Sequence, residues 1–225
     1  MISECLKTPV RVVHISDTHW EHGKLSIPPG DILIHSGDFT NRLRPADFVE
    51  RMTEFNEWLG TLPHRIKILV TGNHELWAFR MEDPAIIRST LSHAVFLEFE
   101  EFLDPISGLV LFGFSYGTPK TRYREIPRGI DVLISHVPAF NVMDLAFTPG
   151  SSLIDCQICH QSHKNREHWG DHELTKEVVI DLDMLARLIC VGRLRESSPK
   201  FTCLDMYTMK LESKSKMILS SSIQQ

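Results

Sequence analysis

The sequence predicts an α/β fold whose functional site lies at the carboxyl ends of several β-strands. Short apolar runs rich in β-branched residues are typical of buried strands. Four such runs are each followed at once by polar side chains, which is where ligands bind in open α/β sheets. An amphipathic helix separates the second run from the third, as in strand–helix–strand units. The four predicted strands are Val10–Ile15, Asp31–His35, Ile66–Val70 and Asp131–Ile134.

The third predicted strand leads into the most informative stretch of the chain. It is followed by Gly72, and glycine permits the sharp backbone turn that directs Asn73 and His74 into one small space. The other three runs also end in polar residues, so we expect these side chains to meet at one edge of a sheet. The candidate site residues are Asp17, His19, Asp38, Asn73, His74 and His136.

Size and composition limit the kinds of protein that this chain can be. With 225 residues, of which 42% are hydrophobic, the chain can bury a full core as one domain. A net charge of −5 argues against a protein that holds bulk nucleic acid by counterion release. Because the first strand begins by Val10 and no apolar run reaches the length of a membrane span, we expect a cytoplasmic protein with no membrane partner. Five cysteines, an odd number, are typical of reduced thiols rather than a disulfide framework.

The first predicted helix lies between Pro45 and Gly60, which are typical start and stop signals. Its apolar residues fall at helical spacing and include several aromatic side chains. Such a stripe can form a cofactor surface, but packing against a sheet is the commoner cause. We therefore interpret it as core: Phe48, Met52, Phe55, Trp58 and Leu59.

Beyond a short helix that starts at Asp83-Pro84, the pattern changes to strands. Val95–Phe99 and Gly108–Phe114 predict a hairpin around a turn-rich connection. The next loop is basic, and such a cluster is either solvated surface or a surface that holds a phosphate. Its cations are Lys120, Arg122, Arg124 and Arg128.

The last third of the sequence is less regular. Residues 138–169 have no periodicity and predict a loop, whereas Glu173–Leu185 has a helical pattern and Leu188–Val191 reads as a strand. The final stretch is polar, with Phe201–Tyr207 as its one predicted strand and a frayed serine-rich end.

The candidate site residues are hard and borderline ligands suited to two divalent ions, of Mn, Fe, Zn or Mg. We expect Asp38 to bridge them, with Asp17 and His19 on one ion and Asn73 and His136 on the other. Two ions about 3.5–4 Å apart can clamp the attacking and leaving oxygens of a phosphate ester, with a hydroxide between them as the nucleophile.

The histidine that follows Asn73 is expected to have a different role. Because Asn73 already occupies the ligand position, His74 is free to act as the catalytic group that protonates the leaving oxygen.

Taken together, these motifs resemble the calcineurin-like metallophosphoesterases. The signature of that family runs Asp-x-His, Gly-Asp, Gly-Asn-His-Glu or Asp, a later His, and Gly-His-x-His. Its first four blocks match Asp17-Thr18-His19, Gly37-Asp38, Gly72-Asn73-His74-Glu75 and His136. Residues 29–40 and 55–60 are similar to the small metallophosphoesterase-domain-containing, class III phosphodiesterase-like branch. The resemblance covers about residues 10–180.

The resemblance implies an α/β sandwich of two mixed β-sheets flanked by helices. We expect this domain over residues 8–197 and a divergent, partly disordered tail over 198–225. It also implies metal-dependent hydrolysis of a small phosphodiester or nucleotide, with His74, Glu75 and His168 near the substrate. The alternative is a catalytically impaired relative that binds nucleotide or a protein partner.

The end of the family signature is not matched. Where the family has Gly-His-x-His, this chain has Gly192-Arg193-Leu194-Arg195, so both family metal ligands are replaced by arginine. A guanidinium stays protonated and cannot donate to a metal. The sequence therefore predicts weakened metal binding, unless other ligands take part.

A cysteine- and histidine-rich segment lies outside the family motifs. Cys156, Cys159 and His160 match the haem-attachment pattern, and the two cysteines with His163 are a candidate zinc site. The alternative is an accidental match in a loop. An interaction protein that uses this segment with zinc is a third functional class. Trp169, next to His168, is interpreted either as packing or as part of the substrate site.

Overall fold

The computed structural model describes residues 10–142, 144–153, 155–179, 188–191, 207–213 and 216–221. The strands are β1 (Val10–Ile15), β2 (Ile32–His35), β3 (Ile66–Leu69), β4 (Val95–Phe96), β5 (Glu100–Leu103), β6 (Val110–Phe114), β7 (Val132–Ser135), β8 (Leu145–Leu153), β9 (His163–His168), β10 (Leu188–Val191), β11 (Tyr207–Ser213) and β12 (Lys216–Ser221). The helices are α1 (Phe48–Thr61), α2 (Leu76–Met81), α3 (Pro84–Thr90) and α4 (His172–Val179), with short 3₁₀ turns elsewhere.

Two mixed sheets form the body of the fold. The six-stranded sheet has the order β12-β11-β1-β2-β3-β4, and the four-stranded sheet has the order β10-β7-β6-β5. Strands β1 to β4 are parallel to one another, while β11 and β12 are antiparallel additions. Among the described strands of the smaller sheet, β5 is antiparallel to its neighbour and the others are parallel.

The alternation of side chains along each strand divides the core into layers. Alternate residues such as Val12, Ile34 and Ile68 point to the second sheet, where they pack against residues that include Leu111 and Ile134. This apolar contact between the two inner faces makes the molecule a sandwich. The predicted sandwich of two mixed sheets flanked by helices is therefore confirmed.

Helices cover both outer faces of the sandwich. The intervening residues of the larger sheet, including Val13 and Leu33, pack under α1. The aromatic stripe of α1 is fully buried there at Phe48 and Phe55, which confirms its interpretation as core. On the other side, Leu174 of α4 packs with outward residues of β6 and β7. Among the described residues, no helix is both long and apolar enough to cross a bilayer.

Three predictions from sequence need correction. The hairpin partner of β6 is β5, because Val95 and Phe96 pair with β3 in the other sheet. The segment predicted to be a loop contains the antiparallel pair β8 and β9. The carboxyl end, predicted to be polar and frayed, contains the strands β11 and β12. Most of the predicted strand Phe201–Tyr207 and residues 180–185 of the predicted last helix lie outside the described residues.

Two histidines are buried within the central strands. Nε2 of His14 is hydrogen-bonded to the hydroxyl of Ser36 at 2.8 Å. Nε2 of His35 is hydrogen-bonded to the hydroxyl of Thr18 at 2.9 Å. Burial lowers the pKa of His14 to about 4, and burial also lowers the pKa of His35 well below 6.5. Both rings are therefore neutral at pH 7 in the folded protein.

This burial predicts a loss of stability in mild acid. An unfolded histidine titrates near pH 6.5, so below that pH the unfolded state binds protons that folded His14 does not. The loss grows as the pH falls towards 4 and reaches about 2 kcal/mol at pH 5 for His14 alone. Urea unfolding at pH 7 and pH 5 measures it. His14→Gln should flatten the pH dependence, while His172→Gln, at an exposed position, should not. Equal losses in wild type and His14→Gln would contradict this account.

Candidate metal centre

The carboxyl ends of β1 and β2 are joined by backbone hydrogen bonds that shape the candidate site. The N–H of Asp17 donates to the carbonyl of Gly37, and the N–H of His19 donates to the carbonyl of Asp38, both at 3.0 Å. Asp17, His19 and Asp38 have φ values of 54°, 43° and 54°. Left-handed backbone at non-glycine residues is unfavourable and is concentrated at functional sites.

Gly72 allows the loop after β3 to approach this edge closely. A Cβ at Gly72 would collide with the side-chain carboxylate and the backbone nitrogen of Asp38. The absence of a side chain therefore lets the loops after β2 and β3 touch, and it brings Asn73 and His74 next to Asp38, as the sequence predicts.

The carboxylate of Glu75 links the same two loops through hydrogen bonds. Its carboxylate accepts from the N–H groups of Asp38, Thr40 and Gly72 at 2.8–2.9 Å, and from the Thr40 hydroxyl at 2.6 Å. The residue is fully buried. Burial, with the nearby Asp38 carboxylate, raises the pKa of Glu75 to about 7. These bonds make Glu75 a positioning residue, which differs from the substrate contact expected from sequence.

Two groups of possible metal ligands share Asp38. One contains Asp17, Asp38 and His136, and the other contains His19, Asp38 and His74. Within each group, the ligand atoms lie within 4.8 Å of one another. Asp38 is the residue common to both groups, and its bridging role stays a prediction. The grouping differs from expectation, because Asp17 lies with His136 rather than with His19.

The rings of His19 and His136 are oriented alike by backbone carbonyls. Nδ1 of His19 lies 3.0 Å from the carbonyl oxygen of Thr40, and Nδ1 of His136 lies 2.9 Å from that of Ser36. A carbonyl oxygen only accepts, so Nδ1 carries the proton in both rings. In the neutral rings Nε2 is then a lone-pair donor, which is the state of a metal-binding imidazole.

His74 has the opposite tautomer. Its Nδ1 accepts the backbone N–H of Arg42 at 3.3 Å, so the proton of the neutral ring lies on Nε2. Nε2 is 3.7 Å from Oδ2 of Asp38. Burial lowers the pKa of His74, which keeps the ring neutral at pH 7. A nitrogen that carries hydrogen cannot bind a metal, so this geometry favours a donor role for His74.

Three acceptor atoms converge beside His136 when its ring is neutral. Its Nε2 lies 3.2 Å from the amide oxygen of Asn73 and 3.6 Å from Oδ2 of Asp38, and all three are acceptors when the ring is neutral. Burial lowers the pKa of His136, but the carboxylates of Asp38 and Asp17 outweigh burial and raise it. A divalent ion would satisfy the same three atoms, so the residues present fit the expected metal.

Three other sequence predictions concern His168, the basic loop and the two arginines after β10. Nδ1 of His168 lies 2.6 Å from the carboxylate of Asp144, and the ring is buried at the β8–β9 hairpin instead of facing the cluster. Lys120, of the basic loop, is mostly exposed and pairs with Asp171, which favours solvated surface. Arg193 and Arg195 lie outside the described residues.

The residues that orient the histidines were not predicted from sequence. Ser36, Thr40 and Arg42 act through backbone groups, which leave no signal in residue type. Glu75 was recognised as part of a motif but not as the acceptor that joins two loops.

Comparison with known proteins agrees with the motif analysis. Residues 10–192 match the sequence pattern of the family described as calcineurin-like phosphoesterase. A human protein called metallophosphoesterase domain-containing protein 1 is 29% identical over 169 residues, which is 60% of this chain and 50% of that protein. A UPF0046 protein of Caenorhabditis elegans is 31% identical over 160 residues, 60% of this chain and 53% of that protein. The chain thus spans about half the length of these relatives.

A solved structure has a similar overall fold. It superposes with a TM-score of 0.57 at 12% identity and covers 95% of this chain and 99% of its own. At this level of identity the similarity concerns the fold alone.

Proposed function

Since the chain belongs to the calcineurin-like phosphoesterase family, we propose that it hydrolyses phosphodiesters with two divalent metal ions held around Asp38. The proposed ligands are Asp17, His19, Asp38, Asn73 and His136. The observation that carries this proposal is the difference in ring orientation between the histidines. His19 and His136 present lone pairs, whereas His74 presents a hydrogen.

Bound divalent ions would act as Lewis acids that lower the pKa of water, so that hydroxide is available near pH 7, and that neutralise the phosphate charge. The protein holds the ligands in place before substrate arrives. The Ser36 and Thr40 carbonyls fix two imidazoles, and the Glu75 carboxylate fixes the backbone of Asp38. Such preorganisation avoids the cost of reordering polar groups during the reaction.

His74 is the proposed donor to the leaving oxygen. Its side chain keeps 19% exposure, in contrast to buried Asp38, so it lies at the open side of the cluster. The Arg42 N–H holds the ring with Nε2–H towards the cluster. A hydrogen donated there stabilises the negative charge that develops on the departing oxygen.

The substrate class is proposed from the number and charge of these groups. Two divalent ions held by these residues would neutralise the charge of a phosphodiester, and the single hydrogen donor, His74, would serve one leaving group. Asn73 is exposed and His74 is partly exposed, so an ester from solvent can reach these groups, and we propose nucleotide-like diesters as the substrates.

Metal removal and restoration test the proposal. Chelated protein should not hydrolyse bis(p-nitrophenyl) phosphate, and added Mn²⁺ should restore turnover in a saturable way. Mn²⁺ prefers carboxylate and imidazole ligands to thiolates, so it reports on this cluster. A rate that is the same before chelation, after chelation and after addition of Mn²⁺ would contradict the proposal.

The alternative, a relative that binds nucleotide without turning it over, rests on Arg193 and Arg195. Strand β10 ends at Val191, which is in register with Ser135, the residue before His136. The chain therefore leaves β10 at the edge where the site lies. The family histidines follow a strand in this position, and here the sequence has arginine.

Restoring both histidines discriminates between the two functions. The Arg193→His and Arg195→His double variant should bind Mn²⁺ more tightly and hydrolyse the diester at least about tenfold faster. Even a residue that only orients a metal ligand changes metal affinity or activity about 10–100-fold. Calorimetric titration and steady-state rates provide the measurement. An Arg124→His variant, at an exposed position in the basic loop, is the control. If metal affinity and rate stay unchanged, these arginines do not weaken the site.

A further inference from the structure

A second cluster of ligand-type side chains lies at the β8–β9 hairpin. The sulfur atoms of Cys156 and Cys159 and one ring nitrogen each of His163 and His168 all lie within 4.8 Å of one another. Cys156 is buried and Cys159 is half-buried, and both are free thiols. No member belongs to the centre around Asp38.

The two cysteines are positioned by a closed turn. The N–H of Cys156 donates to the carbonyl of Gln161 at 3.0 Å, and the N–H of His160 donates to the carbonyl of Cys156 at 2.9 Å. The N–H of Ile158 points at the sulfur of Cys156, 3.4 Å away. A backbone N–H donated to sulfur favours the thiolate, which is the form that binds metal.

The two histidines come from the two ends of β9. A spacing of five residues would place them on opposite faces of a regular strand. Asn165, between them, has a left-handed φ of 54°, and the pairing of β8 with β9 shifts register between Phe147 and Ser152. These irregularities bring the two rings together, with centroids 5.3 Å apart and planes nearly perpendicular. Nε2 of His163 lies 3.1 Å from the sulfur of Cys159.

His168 supplies the clearest sign of a ligand. Its side chain is only 4% exposed, and its Nδ1 is bonded to Asp144 at 2.6 Å. The other nitrogen, Nε2, is buried and has no oxygen or nitrogen partner. Asp144 is itself fixed, because its second oxygen accepts the N–H groups of Asn141 and Gly170 at 2.9 and 3.2 Å. A carboxylate that orients a histidine in this way is typical of zinc sites.

We propose that Cys156, Cys159, His163 and His168 form a tetrahedral, structural Zn²⁺ site. Two thiolates and two imidazoles fill all four positions, so no position remains for substrate. Binding releases the two thiol protons to water as both sulfurs become ligands. The donor set is softer than that of the Asp38 centre, which has no sulfur.

The site would fix the segment that follows His136. The N–H of Asp171 donates to the carbonyl of Pro138 at 2.8 Å, and the N–H of Phe140 donates to the carbonyl of Asp171 at 3.2 Å. The chain that follows the hairpin therefore pairs with the segment that precedes it, and Pro138 is two residues after a candidate ligand of the first centre. Zinc at the hairpin would stabilise this segment independently of phosphoesterase activity.

Spectroscopy with cobalt tests the proposal on the full chain. The Asp38→Asn variant is used, because it weakens the first centre and leaves the hairpin unchanged. Reduced, metal-free protein titrated with Co²⁺ should develop the intense visible bands of tetrahedral Co²⁺ and the near-ultraviolet band of thiolate ligation, saturating at about one equivalent. Zn²⁺ should abolish these bands. Their absence, or a disulfide between Cys156 and Cys159 in protein purified with reductant, would overturn the proposal.

Thiol alkylation provides a second test that does not depend on variants of the hairpin. Zn²⁺ should slow alkylation of Cys156 and Cys159 at least about tenfold, as measured by peptide mass spectrometry, with Cys5, Cys190 and Cys203 as internal references. Equal rates with and without Zn²⁺ would overturn the site.

Two substitutions then assign the ligands. Asp144→Asn should weaken Co²⁺ affinity about 10–100-fold, as expected for loss of the carboxylate that orients a ligand. His160→Ala, between Cys159 and His163 but exposed and outside the cluster, should leave affinity unchanged. If His160→Ala removes the bands while Asp144→Asn does not, the assignment of His168 is wrong.

Discussion

Asp38→Asn should lower Mn²⁺ affinity and the rate of diester hydrolysis by more than about 100-fold. Loss of a residue that only orients a metal ligand typically costs about 10–100-fold, and loss of a shared ligand should cost more. Asp38 belongs to both groups of possible ligands, so one substitution weakens both. Asparagine keeps an oxygen that can accept the N–H of His74, which Asp38 now accepts at 3.0 Å. The change therefore removes charge and leaves most of the local geometry. Mn²⁺ titration and steady-state rates measure the effect.

The control for this variant is Glu50→Gln, which removes an exposed carboxylate from α1. It has the same change in net charge and lies outside both groups of ligands. Both Mn²⁺ affinity and rate should match wild type. Similar Mn²⁺ affinity in Asp38→Asn and Glu50→Gln would show that Asp38 is not a shared ligand.

His74→Gln should lower the rate about 10²–10⁴-fold for diesters with poor leaving groups and should leave Mn²⁺ affinity nearly unchanged. The expectation follows from the ring orientation, because Nε2–H faces the cluster and cannot bind metal. Diesters with p-nitrophenolate, a stable leaving group, should be affected much less. Rates across a series of aryl diesters measure this difference.

His172→Gln serves as the control for this variant, since His172 is exposed and outside both metal clusters. It should show the wild-type dependence on leaving group. A His74→Gln variant that loses Mn²⁺ together with activity would instead place His74 among the metal ligands.

Much of the framework could be predicted from sequence because its signals are local. The strand Val10–Ile15 has the predicted bounds, and the start of α1 coincides with the first residue of its apolar stripe. Site residues directly follow buried strands, so predicting the strands also predicts which side chains meet. Gly72 was predicted to permit a sharp turn, and the structure shows close backbone approach there and also at Gly37.

Other features depend on contacts between distant segments. Val95–Phe96 follows an apolar pattern that fits either sheet, and pairing with β3 decides which one it joins. In β11, the alternation of Tyr207, Met209 and Leu211 with polar residues was a strand signal that the polar composition obscured. His168 reaches the cysteines because the β8–β9 pair is irregular, at Asn165 and at the register shift between Phe147 and Ser152, which no spacing rule anticipates.

The most direct test of the proposed site is a crystal structure with Mn²⁺, examined for anomalous scattering. Two peaks are expected, about 3.5–4 Å apart and on either side of the Asp38 carboxylate. Nε2 of His19 and Nε2 of His136 should lie at ligand distance from them, while Nε2 of His74 should not. A single peak bound by His74, or no peak near Asp38 at saturating Mn²⁺, would contradict the account.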